Sequence, residues 1–157
     1  MQVELFKERG TRPLLCSRRL LRVLQEAQAL AGLGEEPGLL HVIFSRNETI
    51  QSLNIDFVHH QGLTDVITFD FRGDCPPMMQ EETCVGEIYV CAEIAVAWSA
   101  KYRQFSPSKE LVLYMVHGML HLAGEDDLNP VAKKSMRRAE RRVLAALEKH
   151  HSLEGFL

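Results

Sequence analysis

The chain has 157 residues, 46% of them apolar and 25% charged, with a formal net charge of −3. That length suits one domain with its own core, residues 1–157. The slightly acidic balance excludes global attraction to nucleic acid or anionic lipid, so any nucleic-acid binding has to use a local basic surface.

In chain order, residues 3–6 alternate apolar and polar and read as a first strand. The start, Met1-Gln2-Val3-Glu4-Leu5, lacks the apolar run of a secretory leader. Ser17 is placed to cap a helix reaching about Ala31, with Leu20, Leu21, Leu24, Ala27 and Leu30 on its apolar side. Arg18, Arg19 and Arg22 near its start read as a solvated face or, alternatively, as an RNA-facing patch. Residues 39–44 are a compact apolar run that includes the β-branched Val42 and Ile43, hence a strand. Ser45 with Glu48 fits a capping box that opens a short helix through Ile50, Leu53 and Asn54. Residues 57–63 read as irregular and include His59 and His60, which could reach a cleft. Residues 64–71 form a strand with Ile67, Phe69 and Phe71 on one face and Val66, Thr68 and Asp70 on the other. Residues 72–83 contain Gly73, Pro76 and Pro77 and make an exposed loop, before another strand at 85–90.

Residues 92–102 form a helix in which Trp98 fills core. Ser106 caps the next helix and Pro107 takes its first position. That helix is apolar on nearly every side, which places it at the centre of the fold. Asn129 and Pro130 start the last helix by the same device. It carries a basic stripe of Lys133, Lys134, Arg137, Arg138, Arg141 and Arg142. The stripe is a solvated face or, alternatively, a footprint for RNA phosphates. The order predicts an α+β domain: a small mixed four-stranded sheet packed with about five helices, the metal-site helix central.

The metal site is read from His117-Gly118-Met119-Leu120-His121-Leu122-Ala123-Gly124-Glu125-Asp126-Asp127. Two histidines four apart lie on one helical face, one above the other. Gly124 then stops the helix, because glycine accepts the left-handed conformation of a C-terminal cap. The chain then folds back, and the Asp127 carboxylate can supply a third ligand. Two imidazoles and a carboxylate suit zinc, with the fourth position open. In zinc proteases of the H-E-x-x-H type the general base follows the first histidine. Here that position is Gly118. Glu125, Asp126, Asp65 and Glu87 are candidate proton acceptors or supporting partners. Cys16, Cys75, Cys84 and Cys91 form no C-x-x-C pair, which fits a reducing cytoplasm. No run approaches the ~20 apolar residues of a membrane span.

Together, Leu53-Asn54, Thr64-Asp65-Val66-Ile67-Thr68-Phe69, Gly86-Glu87-Ile88 and the H-G-x-L-H-L-x-G block at 117–124 resemble the YbeY family of bacterial rRNA-maturation endoribonucleases. The resemblance implies one zinc ion, a cleft beside the sheet, and a single-strand endoribonuclease that trims the 3′ end of small-subunit rRNA and serves ribosome quality control. Its partners would be single-stranded rRNA and the small ribosomal subunit, with no membrane and no organic cofactor. Two departures stand out. The family usually ends the motif with a third histidine, where this chain has Asp127. It commonly carries an arginine four residues after the Leu-Asn asparagine, where this chain has Val58. His59, His60, Thr64, Asp65 and Arg72 are the candidates for substrate contact. The nucleophile is either a metal-acidified water or the ribose 2′-hydroxyl. The rival readings are a non-catalytic ribosome-assembly factor with a structural zinc, and a zinc peptidase.

Overall fold

The computed structural model describes residues 1–58, 65–74, 76, 79 and 83–157. Strands β1 (Gln2–Lys7), β2 (Leu39–Phe44), β3 (Val66–Asp70) and β4 (Cys84–Val90) form one sheet in the order β1-β2-β4-β3. β1 and β4 run parallel to β2, and β3 is antiparallel to β4. Helices α1 (Ser17–Ala31), α2 (Asn47–Leu53), α3 (Ala92–Tyr102), α4 (Pro107–Leu122) and α5 (Pro130–Leu147) complete the expected mixed α+β architecture. No helix among the described residues is long and apolar enough to cross a membrane.

Pleating sends alternate side chains to opposite faces. Leu40, Val42 and Phe44 of β2 and Ile88 and Val90 of β4 are buried in the core. His41 and Glu87 point the other way and are only half-buried. Helix α4 lies in the middle of the helical layer, as its all-round apolar sequence predicts, touching α1, α3, α5, β3 and β4. The Ser106 hydroxyl accepts the Lys109 N–H at 3.2 Å, and Asn129 Oδ1 caps α5 by accepting from Val131 and Ala132.

Where tertiary contacts compete with local signals, the contacts win. Ser17 does not cap α1. Cys16 holds that position in a left-handed conformation, φ 51°, with no side-chain cap. The preceding Leu15 N–H is drawn to the Phe156 carbonyl. The Ser45 capping box is also absent. Ser45 is 1% exposed and its N–H bonds the Val90 carbonyl, which keeps it beside the sheet. Helix α2 starts at Asn47 instead, and Arg46 is fixed by Glu8 through its backbone N–H and its Nε. The segment from 57 is not irregular throughout: Asn54–Val58 continues as a π-helical turn. Trp98 does not fill core. It is 37% exposed and stacks on Tyr102, because α3 packs on α4 through a narrow stripe including Ala92, Ala95 and Ser99. Arg19 leaves the solvated face: its guanidinium stands 4.6 Å above the Phe156 ring and bonds the Glu154 carbonyl. Phe156 is fully buried, and its N–H bonds the Ser108 hydroxyl.

Candidate metal centre

The last turns of α4 place His117 and His121 on one face with their rings edge to face, centroids 4.5 Å apart. Their Nε2 atoms stand 2.9 Å from one another. The helix ends as the sequence predicts. Gly124 takes φ +95°, and the Glu125 N–H reaches back to the Leu120 carbonyl. Asp126 then shapes the return: its Oδ1 accepts the N–H groups of Asp127 at 2.7 Å and Leu128 at 3.1 Å. The Asp127 carboxylate comes to 3.9 Å from His117 Nε2 and 3.8 Å from His121 Nε2. Ligand atoms around a tetrahedral zinc, with bonds of roughly 2.0–2.1 Å, stand about 3.3 Å from one another. The three groups therefore fit one ion with small adjustments. Two imidazole nitrogens facing each other and a carboxylate form a donor set made for a cation.

The remaining ring nitrogens set the tautomers. His117 Nδ1 lies 2.7 Å from Glu140 of α5, and His121 Nδ1 lies 3.0 Å from the Glu125 carbonyl. Each Nδ1–H donates outward, leaving the Nε2 lone pair for the centre. Burial pulls the His117 imidazole down, but the hydrogen bond and charge of Glu140, with Asp127 and Asp65, outweigh it and hold its pKa above the ordinary value. His121 is held below the ordinary value by burial and by the charge of His117. Burial pushes the Asp65 and Glu110 carboxyls up.

A cleft of about 560 Å³ opens beside these ligands, lined by Asn54, Asp65 to Thr68, Asp70, His117, His121, Leu122, Asp127 and Leu128. One wall is β3, the edge strand, which among the described residues pairs only with β4.

Of the candidate substrate residues, Asp65 lines the cleft. Arg72 does not line it. Its guanidinium bonds both Asp70 oxygens, at 2.9 and 2.6 Å, and the Leu122 carbonyl, bracing the end of α4 against β3. His59, His60 and Thr64 lie outside the described residues. Glu125 turns its carboxylate to Ser135. Glu87 lies on the opposite sheet face and accepts the Tyr89 hydroxyl at 2.8 Å. Glu140 is the residue that sequence reasoning missed, although a signal existed. It is an isolated acid between Arg138 and Arg141, and it falls on the α5 face of Met136, Val143, Leu144 and Leu147.

Gly118 has a reason beyond the missing protease base. A Cβ there would stand 2.8 Å from Ile88 Cγ2 and 2.8 Å from Thr68 Oγ1. This is the point where α4 presses on the sheet, and a glutamate cannot occupy it.

A family model described as "Endoribonuclease YbeY" matches residues 11–148. The chain is 37% identical over 118 residues to the protein named endoribonuclease YbeY of Rhodopirellula baltica, covering 74% of this chain and 58% of that protein. It is 34% identical over 116 residues to the protein of that name from Elusimicrobium minutum, covering 74% and 79%. Identity to that of Alkaliphilus metalliredigens is 30% over 151 residues, covering 94% and 97%. Among solved structures, the solution structure of TM1509 from Thermotoga maritima superposes with a TM-score of 0.57 at 22% identity, covering 98% of this chain and 96% of that one. That likeness shows the same fold.

Proposed function

The chain belongs to the endoribonuclease YbeY family, and on that premise we propose that it is a zinc-dependent endoribonuclease of single-stranded RNA, acting in small-subunit rRNA 3′-end maturation and ribosome quality control. The observation that carries this reading is the convergence of His117 Nε2, His121 Nε2 and Asp127 beside a trough open along a strand edge. Zinc held by these residues supplies Lewis acidity and a water acidified to a pKa of about 7. The chain's own groups do the rest. Glu140 and the Glu125 carbonyl fix the imidazoles, and the Asp126 turn aims Asp127. Asp65, in the cleft wall with a raised pKa, keeps a proton to higher pH than an ordinary carboxyl and is the group placed to exchange one with a reacting oxygen.

The test is cleavage of a purified small-subunit rRNA 3′ segment, with His117→Ala as control. Discrete products that vanish in the variant are expected. A 2′,3′-cyclic phosphate end assigns the attack to the ribose hydroxyl, and a 5′-phosphate assigns it to water. Subunit binding with no cleavage by the zinc-loaded protein would instead favour a non-catalytic assembly factor. Val58, in place of the family arginine, is the feature that keeps that second reading alive.

Among the described residues no Lys or Arg lines the cleft, so the cations that hold RNA phosphates have to come from outside its lining. Lys133, Lys134, Arg137 and Arg141 line a groove of about 430 Å³ on α5. Glu140 of the same helix touches His117, so Arg137 and Arg141 stand within one turn of a residue that contacts the centre. The double change Arg137→Glu with Arg141→Glu is expected to weaken RNA binding. It should also flatten the log–log salt dependence by roughly 0.7 for each phosphate that is no longer neutralised, with zinc content unchanged. Binding that stays the same across a salt titration would make the stripe a solvated face.

A further inference from the structure

The far face of the sheet carries a second constellation of metal-ligating groups. His41 of β2 pairs in register with Glu87 of β4, and Leu39 pairs with Cys84. Cys84 and Glu87 are an odd number of residues apart, so a regular pleat would send them to opposite faces. The register breaks between Leu39 and Leu40, whose partners are Cys84 and Gly86, and Val85 is the extra residue. This bulge resets the alternation and returns Cys84 to the face of His41 and Glu87. One nitrogen of His41, the Cys84 sulfur and a Glu87 oxygen all lie within 4.8 Å of one another.

A second feature points to a ligand. His41 Nε2 lies 3.4 Å from the Glu4 carboxylate of β1, while Nδ1 faces Glu87 at 4.0 Å. A carboxylate beside one ring nitrogen favours presenting the other to a metal; Glu4 stands behind His41 at a longer distance than the 2.7 Å at which Glu140 stands behind His117. The Tyr89 hydroxyl, bonded to the other Glu87 oxygen, holds that carboxylate in place.

We propose that His41, Cys84 and Glu87 form a second metal site, on the sheet face opposite the catalytic cleft, for a thiophilic borderline divalent cation such as zinc. Imidazole, thiolate and carboxylate together select such an ion over magnesium or calcium, which take oxygen donors. Binding releases the Cys84 thiol proton to solvent as the sulfur becomes a thiolate. The ion ties β2 to β4 and, through Glu4, engages β1. Its three ligands come from strands already paired, so occupancy braces the sheet without remodelling it.

Cobalt(II) separates the two sites, because the first has no sulfur ligand. Titration of the full chain with cobalt is expected to give a second equivalent accompanied by a near-ultraviolet thiolate-to-cobalt charge-transfer band. Cys84→Ser should abolish that band and the second equivalent while keeping the first. His117→Ala should lose the first and keep the band, and Cys16→Ser should change neither. Thermal unfolding of metal-free Cys84→Ser alongside the parent checks that the fold is intact. Absence of the band in the parent at cobalt concentrations that saturate the first site, or its persistence in Cys84→Ser, overturns the proposal.

Discussion

Asp127→Ala is expected to weaken zinc binding by more than about 100-fold, beyond the roughly 10–100-fold typical of losing a partner behind a ligand. The carboxylate is within 4 Å of both histidine Nε2 atoms and supplies the only anion of the three-group set. Removing it leaves two neutral imidazoles, 2.9 Å apart, to hold a divalent cation. A graded series follows from the surrounding hydrogen bonds. Glu140→Ala should cost about 10–100-fold, because His117 loses the acceptor at 2.7 Å that fixes its tautomer. Glu140→Gln should cost less, since its amide oxygen still accepts from Nδ1–H. Asp126→Ala should fall below Asp127→Ala: it removes two backbone hydrogen bonds from the turn but no ligand. Asp127→His should keep metal, as it restores the ligand that the family usually carries. Competition with a chromophoric chelator measures all five. Equal losses at Asp126 and Asp127 would show that the turn does not aim Asp127 at the histidines.

Gly118→Ala is expected to destabilise the protein, although alanine favours a helix over glycine by about 1 kcal/mol. The added methyl would meet Ile88 Cγ2 and Thr68 Oγ1 at 2.8 Å and Ile88 Cδ1 at 3.0 Å. Ile88 is fully buried and cannot swing away. Overpacking of this kind costs roughly 1–3 kcal/mol, so the clash outweighs the propensity gain at all but the lowest cost. Each kcal/mol lost lowers the melting temperature of a domain this size by roughly 2–4 °C. The displacement also moves His117, the adjacent residue, so zinc affinity should fall as well, by less than in Asp127→Ala. Thermal unfolding with and without zinc reads both effects. A variant more stable than the parent would mean that α4 stands further from the sheet than these distances show.

How much was legible in the sequence depended on whether the determining interactions are local. The pairing of His117 with His121 follows from helical periodicity, and the stop at Gly124 from the left-handed freedom of glycine. The start of α4 at Ser106-Pro107 and of α5 at Asn129-Pro130 follows from hydrogen bonds within one turn. The run 39–44 had only one period to obey, and its bounds come out unchanged in β2. These are short-range rules, so the chain alone decides them. The caps expected at Ser17 and Ser45 do not form, and distant partners fix the chain just before each helix instead: the Phe156 carbonyl, the Val90 carbonyl and Glu8 accept the N–H groups of Leu15, Ser45 and Arg46. Trp98 was misplaced because an aromatic in a mostly apolar helix carries no sign of which face a small-residue stripe will bury. Only the tertiary structure could bring Glu140, 23 residues away, to His117. It also committed Arg72 to Asp70 and the end of α4, and turned Glu87 to the face away from the cleft. A bulge whose extra residue is Val85 reversed the facing of Cys84. Each of these depends on how one element is rotated and registered against another. Core packing sets that rotation, and no spacing along the chain encodes it.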